Sequence, residues 1–203
     1  MRKFETIHSI AVPWLLPNVD TDTISPMKRL ILNMDELDVY SFEPYRFIDG
    51  DGDAGQLNME FPLNQERYKG AKILIVGENF GCGSSRETAP EAIAKCGYEC
   101  IISSSFGGIF TKNCYQQALL PLVFPKEMVE DWAKQAEEGA PFTVDLEKCI
   151  VVSPDGKTHS FTIEDARREA LLLGLDEVAR TLKKSDKIDR FFEQDKQQRP
   201  WLY

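Results

Sequence analysis

Residues Gly77-Glu-Asn-Phe-Gly-Cys-Gly-Ser-Ser-Arg-Glu-Thr-Ala-Pro90 decide how this chain is read. They follow Lys72-Ile-Leu-Ile-Val76, an apolar, β-branched run with the character of a buried strand. They precede Glu91-Ala-Ile-Ala-Lys-Cys96, a helical segment closed by Gly97. Gly77, Gly81 and Gly83 suit a tight strand-to-helix turn in which backbone comes close to a ligand. The spacing predicts Ser84 as an N-cap, with Glu87 as its reciprocal partner in a capping box. A helix start presents unpaired N–H groups and a positive dipole end, and Arg86 adds a planar fork of donors. The turn therefore reads either as a well-capped helix or as an anion site able to do chemistry. The Gly-x-Gly-x-x-Gly fingerprint, the Walker-type phosphate loop and the Gly-x-Ser-x-Gly nucleophile elbow are all absent.

Working outward, Glu99–Ser104 reads as a strand, Ser105-Phe-Gly-Gly108 as a second Gly-rich loop, Ile109–Leu119 as a helix and Pro121–Phe124 as a short strand. Together with Lys72–Val76 this makes consecutive βαβ units and hence a parallel sheet. Ligands of such sheets gather at the carboxyl ends of the strands, so the two Gly-rich loops are expected to face one pocket. Upstream, Phe4–Val12 reads as a first strand bounded by Pro13 and Pro17, and Asn18-Val-Asp-Thr-Asp-Thr-Ile-Ser-Pro26 as a polar turn with two carboxylates. Met27–Tyr40 has room for a short helix. Phe42–Gly70 is mostly irregular, with Asp49-Gly-Asp-Gly-Asp53 as a mobile tip. That acidic run lacks the ligand order of a calcium loop, although Glu60 falls at the twelfth position from Asp49. Downstream, Lys126–Glu138 reads as an amphipathic helix, and Phe142–Val152 and Thr158–Ile163 flank Pro154-Asp-Gly156 as a hairpin. Residues 1–203 are expected to form one domain with a helical tail over about 164–203, and Trp201 and Tyr203 to dock on the domain or on a partner.

Composition narrows the function classes. The chain has 203 residues, 42% hydrophobic and 28% charged, which is ordinary for a folded domain. Its formal charge of −9 opposes non-specific binding to nucleic acid or to anionic membranes. No apolar run approaches the roughly 18 residues of a membrane span, and Met1-Arg-Lys-Phe-Glu-Thr-Ile-His8 lacks a signal core, so a cytoplasmic location is expected. Cys82, Cys96, Cys100, Cys114 and Cys149 are an odd number without Cys-x-x-Cys spacing, which argues against a disulfide framework. No metal site is expected from this chain alone, since only His8 and His159 could assist. Cys96, Cys100, Cys114 and Cys149 are expected as core thiols. Cys82 is the oxidation-sensitive candidate, because it sits in the Gly-rich turn.

Three groups of residues then carry a resemblance. Asn18-Val-Asp-Thr-Asp-Thr-Ile24, Asn79-Phe-Gly-Cys-Gly-Ser-Ser-Arg-Glu87, and Ser105-Phe106 with Ile109-Phe110, Asn113 and Leu119-Leu-Pro-Leu122 closely resemble the aconitase superfamily. Their size, order and spacing are similar to the small-subunit family of the isopropylmalate dehydratases, from about Phe4 to the terminal Arg-Pro-Trp-Leu. The resemblance implies an α/β fold, a swivelling β/β/α domain that closes over a larger catalytic subunit. It implies no cofactor on this chain and a [4Fe–4S] cluster on that partner, whose open iron site binds the substrate hydroxyl and a carboxylate. It assigns Ser84 as the base, Asp22 as the group orienting a histidine of the larger chain, and Ser85 and Arg86 as the grip on a substrate carboxylate. Serine is a poor base, so that role demands donors that stabilise an alkoxide. Position 31 is Ile31, suited to the isopropyl group of a malate-type substrate, where tricarboxylate-processing relatives tend to carry Arg. Ser25 and Thr88 depart from the more frequent Ile and His. The expectation is a hydro-lyase subunit of leucine biosynthesis, active with its large subunit. The alternatives are a sister enzyme for citramalate or a dimethylmalate, and a non-catalytic dicarboxylate-binding module. A homodimer through the face meant for the large subunit is expected in isolation.

Overall fold

The computed structural model describes residues 1–203. Eight strands form two four-stranded sheets, one antiparallel and one parallel. β1 (Ile7–Ser9) belongs to the first and β2 (Ala11–Trp14) to the second, so the single strand expected over Phe4–Val12 is two. The chain changes sheets at Ile10. Ser9 Oγ pins that crossing, donating to the Ile10 carbonyl and accepting from Lys72 N–H, each at 2.9 Å. Pro13 continues β2 rather than ending it, because β2 is an edge strand and can spare a ladder donor.

The expected polar turn is in fact a one-turn helix, α1 (Thr21–Ile24), whose N-cap Asp20 accepts from Thr23 N–H at 2.7 Å. α2 (Met27–Leu32), α3 (Leu37–Tyr40) and α4 (Glu43–Arg46) follow. From there to Gly70 the chain is largely turns, held by aromatic edges: Trp14 lies 5.4 Å from Phe42 and 5.0 Å from Phe61 between ring centres. The Asp49–Asp53 tip is tied down rather than free. Asp53 pairs with Arg29 at 2.7 Å and with Lys28, and Gly52 N–H donates to Glu43 at 3.0 Å.

β3 (Ile73–Val76), α5 (Thr88–Lys95), β4 (Cys100–Ser103), α6 (Gly108–Gln116) and β5 (Leu120–Val123) make the expected βαβ units, with parallel order β2-β3-β4-β5. All four β3 residues are fully buried, because both faces of this sheet are covered. Leu74, Val76 and Ile101 pack with Ile93 of α5 and Phe110 of α6. On the other face Ile73, Ile75 and Ile102 meet Trp132, Ala133 and Ala136 of α7 (Lys126–Glu137), together with Phe142 and Val144. Each fully buried large apolar side chain contributes about 2 kcal/mol.

β6 (Phe142–Asp145), β7 (Ile150–Val152) and β8 (Thr158–Ser160) complete the antiparallel sheet in the order β1-β6-β7-β8. Phe142–Val152 is thus a hairpin in itself, and Pro154-Asp-Gly156 turns the next one. α8 (Asp165–Leu173), α9 (Glu177–Leu182) and α10 (Ser185–Gln198) form the tail. Tyr203 folds back onto α10, its hydroxyl donating to Asp195 at 3.1 Å, while Trp201 stays 74% exposed instead of docking on the domain. Cys100 and Cys114 are buried as expected of core thiols, whereas Cys96 and Cys149 are only half-buried. No helix is long and apolar enough to cross a membrane.

Candidate active site

Three loops leave the carboxyl ends of β2, β3 and β4 side by side. Asn18 N–H donates to the Glu78 carbonyl (2.9 Å), Gly81 N–H to Val19 (2.7 Å) and Thr21 N–H to Cys82 (2.9 Å), so the β2–β3 pairing continues past the sheet. Phe80 N–H bonds the Ser105 carbonyl (3.2 Å) and Gly107 N–H bonds Phe80 (2.9 Å), which adds the third loop. The two Gly-rich loops therefore do meet. Asn18 and Asn79 both sit at φ 56° and are joined side chain to side chain at 2.8 Å, a conformation asparagine tolerates better than most residues. Gly81 and Gly107 are required by the close approach. A Cβ at Gly107 would lie 2.4 Å from the Gly81 carbonyl oxygen, and one at Gly81 would lie 2.2 Å from the Phe110 ring.

The expected capping box does not form. α5 begins at Thr88, its cap position is Glu87 in helical conformation, and no side chain caps it. Ser84 lies four residues upstream, and its hydroxyl is 2.9 Å from Thr21 Oγ1. The same Thr21 oxygen accepts Ser84 N–H at 3.2 Å. The physical reason is tertiary: α1 packs against this loop and offers a buried hydroxyl in place of the helix's own cap. Backbone N–H groups of Ser85, Arg86 and Glu87 have no partner within the chain, and neither does the Ser85 hydroxyl. Ser84 and Ser85 are exposed and Arg86 is half-buried.

Arg86 Nη1 pairs with Asp22 Oδ1 and donates to the Ser25 carbonyl at 3.2 Å. Asp22 Oδ1 also accepts Met27 N–H at 3.2 Å. Oδ2 of Asp22 has no partner in the chain, and Nε and Nη2 of Arg86 are likewise unengaged. One edge of the guanidinium is anchored while the edge that matches a carboxylate in bidentate fashion stays open. Burial pushes the neighbouring Asp20 carboxyl up, but the hydrogen bonds from Thr23 and the charge of Arg86 hold it below its usual value. Asn113 on α6 donates to the Ser85 carbonyl at 3.3 Å. Ser25 and Thr88, the two departures from the family pattern, touch each other: Ser25 Oγ donates to Thr88 Oγ1 at 3.3 Å and ties the end of α1 to the start of α5.

Asp22, Ser84, Ser85 and Arg86 are thus brought together, although Asp22 and Arg86 are 64 positions apart. Ile31 stands on the next helix, 75% exposed. The cluster lies on an open face. A cavity of about 750 Å³ opens beside it, lined by Glu87, Lys112, Asn113, Arg167 and Arg180, but Ser84, Arg86 and Asp22 are outside it. No three His, Cys, Asp or Glu side chains converge as ligands for a metal ion. Sequence reasoning gave no role to Thr21, although it stood inside the Asp-Thr-Asp element. It also missed Arg29, whose only local signal was a lone guanidinium on an apolar helix.

Comparison with known proteins decides the family. The aconitase C-terminal domain family matches residues 1–127, and the LeuD_N family matches residues 130–165. The small subunit of 3-isopropylmalate dehydratase from Leptospira interrogans is 42% identical over 208 residues, covering all of this chain and 99% of its own length. The chain belongs to the 3-isopropylmalate dehydratase small-subunit family. The corresponding protein from Roseobacter denitrificans is also 42% identical over the full length of both chains, and that from Neisseria gonorrhoeae is 41% identical. Among solved structures, a 3-isopropylmalate dehydratase from Methanocaldococcus jannaschii superposes with a TM-score of 0.65 at 28% identity, covering 92% of this chain and 99% of its own. The expected swivel-domain fold is the fold of this family. The whole cluster of Asp22, Ser84, Ser85 and Arg86 falls inside the aconitase-type match.

Proposed function

We propose that this chain is the small subunit of a 3-isopropylmalate dehydratase. With its large subunit it interconverts 2-isopropylmalate and 3-isopropylmalate, by loss and return of water. The full-length similarity to proteins of that name, at about 40% identity, carries the reading. The open cluster supports it from the chemistry side.

In this reading Ser84 Oγ, ionised, takes the proton from the carbon next to a substrate carboxylate, and the electron pair left behind forms the double bond as the hydroxyl departs. The unpartnered N–H groups that follow Ser84 supply donors for its negative charge. Arg86 grips the carboxylate through its free Nε–Nη2 edge, while Asp22 and the Ser25 carbonyl fix the guanidinium from behind. Ser85 adds a hydroxyl to that grip. Asp22 Oδ2 is left to orient a histidine of the large subunit. Ile31 presents an apolar surface to the isopropyl group when the domain closes. The [4Fe–4S] cluster belongs to the partner and supplies Lewis-acid help to the departing hydroxyl. An exposed half-site needs the other chain to exclude water, which explains why the cluster here lies on an open face.

The test is anaerobic reconstitution with the large subunit, followed by assay of 2-isopropylmalate dehydration. Activity with wild type, and its loss in Ser84→Ala with assembly intact, is the expected result. Near-normal turnover in Ser84→Ala would remove Ser84 as the base. Preference for citramalate or a dimethylmalate would move the substrate and leave the chemistry in place.

A further inference from the structure

We propose that Thr21 is a positioning residue for Ser84, holding its oxygen as a hydrogen-bond acceptor and stabilising its ionised form. The inference rests on the reading of Ser84 as the base and adds a second hydroxyl to it.

Thr21 is 1% exposed, and its Oγ1 has two neighbours within hydrogen-bonding reach, both on Ser84. It accepts Ser84 N–H at 3.2 Å, which occupies a lone pair. Its own proton then has one acceptor, Ser84 Oγ at 2.9 Å. A buried hydroxyl that donated to nothing would carry the cost of an unmade hydrogen bond, so the geometry sets the direction: Thr21 donates and Ser84 accepts. The Ser84 proton is thereby turned away from Thr21 toward the exposed side of the loop, where substrate arrives. When that proton is lost, the Thr21 bond becomes charge-assisted and shortens, with no proton leaving Thr21.

The threonine is itself held in register. Its backbone N–H donates to the Cys82 carbonyl at 2.9 Å, and Asp20 caps the helix on which it stands. Rigid backing of this kind lets a donor favour the charged state without reorganising during reaction.

The experiment uses the reconstituted two-subunit complex with 2-isopropylmalate and compares Thr21→Val, Thr21→Ser and Ser84→Ala. Thr21→Val should lower kcat by about 100-fold, the scale seen when one donor to an oxyanion is removed. KM should change little, because Arg86 keeps its carboxylate edge. The acid limb of the kcat/KM profile should move to higher pH by about one unit or more, since the serine becomes harder to ionise. Thr21→Ser should restore both rate and profile. Thr21→Cys, which keeps the volume but donates weakly, covers the case in which Val does not fold; it should show the same alkaline displacement. Wild-type kcat and pH profile in Thr21→Val or Thr21→Cys, with Ser84→Ala inactive, would overturn the Thr21 assignment alone. Turnover retained by Ser84→Ala would overturn the reading of Ser84 and the role of Thr21 with it.

Discussion

Replacing Arg29 by methionine should unfold this domain at a much lower temperature, and the structure sets the size of the effect. Arg29 has a side chain only 2% exposed, in the middle of the short helix that carries Ile31. Its Nε donates to Glu43 Oε2 at 2.9 Å, its Nη2 pairs with Glu43 Oε1, and its guanidinium lies 3.9 Å over the Tyr40 ring. Glu43, 9% exposed in its side chain, has one other donor, Gly52 N–H at 3.0 Å. Removing Arg29 leaves a buried carboxylate nearly unpaired, which costs about 3–5 kcal/mol. The Asp53 contact adds little, since that carboxylate is 54% exposed and screened. For a domain of this size the loss corresponds to a Tm lower by roughly 6–20 °C.

The sign with pH follows from Glu43. The hydrogen bond from Arg29, opposed by burial, holds its carboxyl below the usual 4.5 in the folded state. Its contribution is therefore complete above that value and fades as pH falls through the folded one. In Arg29→Met, burial acts without that partner and favours the protonated carboxyl, so the Tm gap to wild type should narrow between pH 6 and pH 4. Glu43→Leu added to Arg29→Met should recover most of the loss, because an apolar pair can replace a buried ion pair. Calorimetric melts of wild type, the single mutant and the double mutant at both pH values measure all of this. A single mutant within 2 °C of wild type at pH 6, or a double mutant as unstable as the single, would refute the reasoning.

Arg86→Lys should raise KM by at least about tenfold, because a point charge cannot present the free Nε–Nη2 edge, with Tm nearly unchanged since the Asp22 pair is 19% and 60% exposed; steady-state kinetics on the complex, paired with a melt, decides it. Gly81→Ala should cost more than about 3 kcal/mol and separate the Gly-rich loops, because φ is +70° and the new Cβ would enter the Phe110 ring; equal urea midpoints for mutant and wild type would contradict that. Thiol labelling of the native chain should modify Cys82, Cys96 and Cys149 but spare Cys100 and Cys114, whose burial pushes both thiols up, until denaturant is added; mass mapping of the labelled peptides reads the order.

Much of the parallel sheet was legible locally. Ile73–Val76 and Cys100–Ser103 are continuous apolar runs, because a strand covered on both faces needs no polar side, and turn residues punctuate them. The pairing of the Gly77–Gly83 and Ser105–Gly108 loops followed from that topology, since consecutive parallel strands bring their carboxyl ends to one edge. The resemblance of Asp-Thr-Asp and Gly-Ser-Ser-Arg-Glu named Asp22, Ser84, Ser85 and Arg86, and the fold gathers them.

What local pattern could not reach was the choice between competing hydrogen-bond partners. Ser84 followed by Glu87 has the spacing of a cap, but Thr21, 63 residues earlier, supplies a buried hydroxyl that Ser84 takes instead. Phe4–Val12 has the composition of one strand, yet it divides between two sheets because Ile7–Ser9 pairs with β6 and Ala11–Trp14 with β3. Arg29 and Glu43 look like ordinary surface charges until α2 and α4 close around them. The sequence by itself determined the central parallel strands β3, β4 and β5 with their intervening helices, and named the residues proposed for the site, since these depend on runs of neighbours and on recognisable motifs. The tertiary structure alone decided which polar groups are consumed in holding the loops and which remain free for a ligand, because a hydrogen bond between distant residues is set by where the packed backbone places its donors and acceptors.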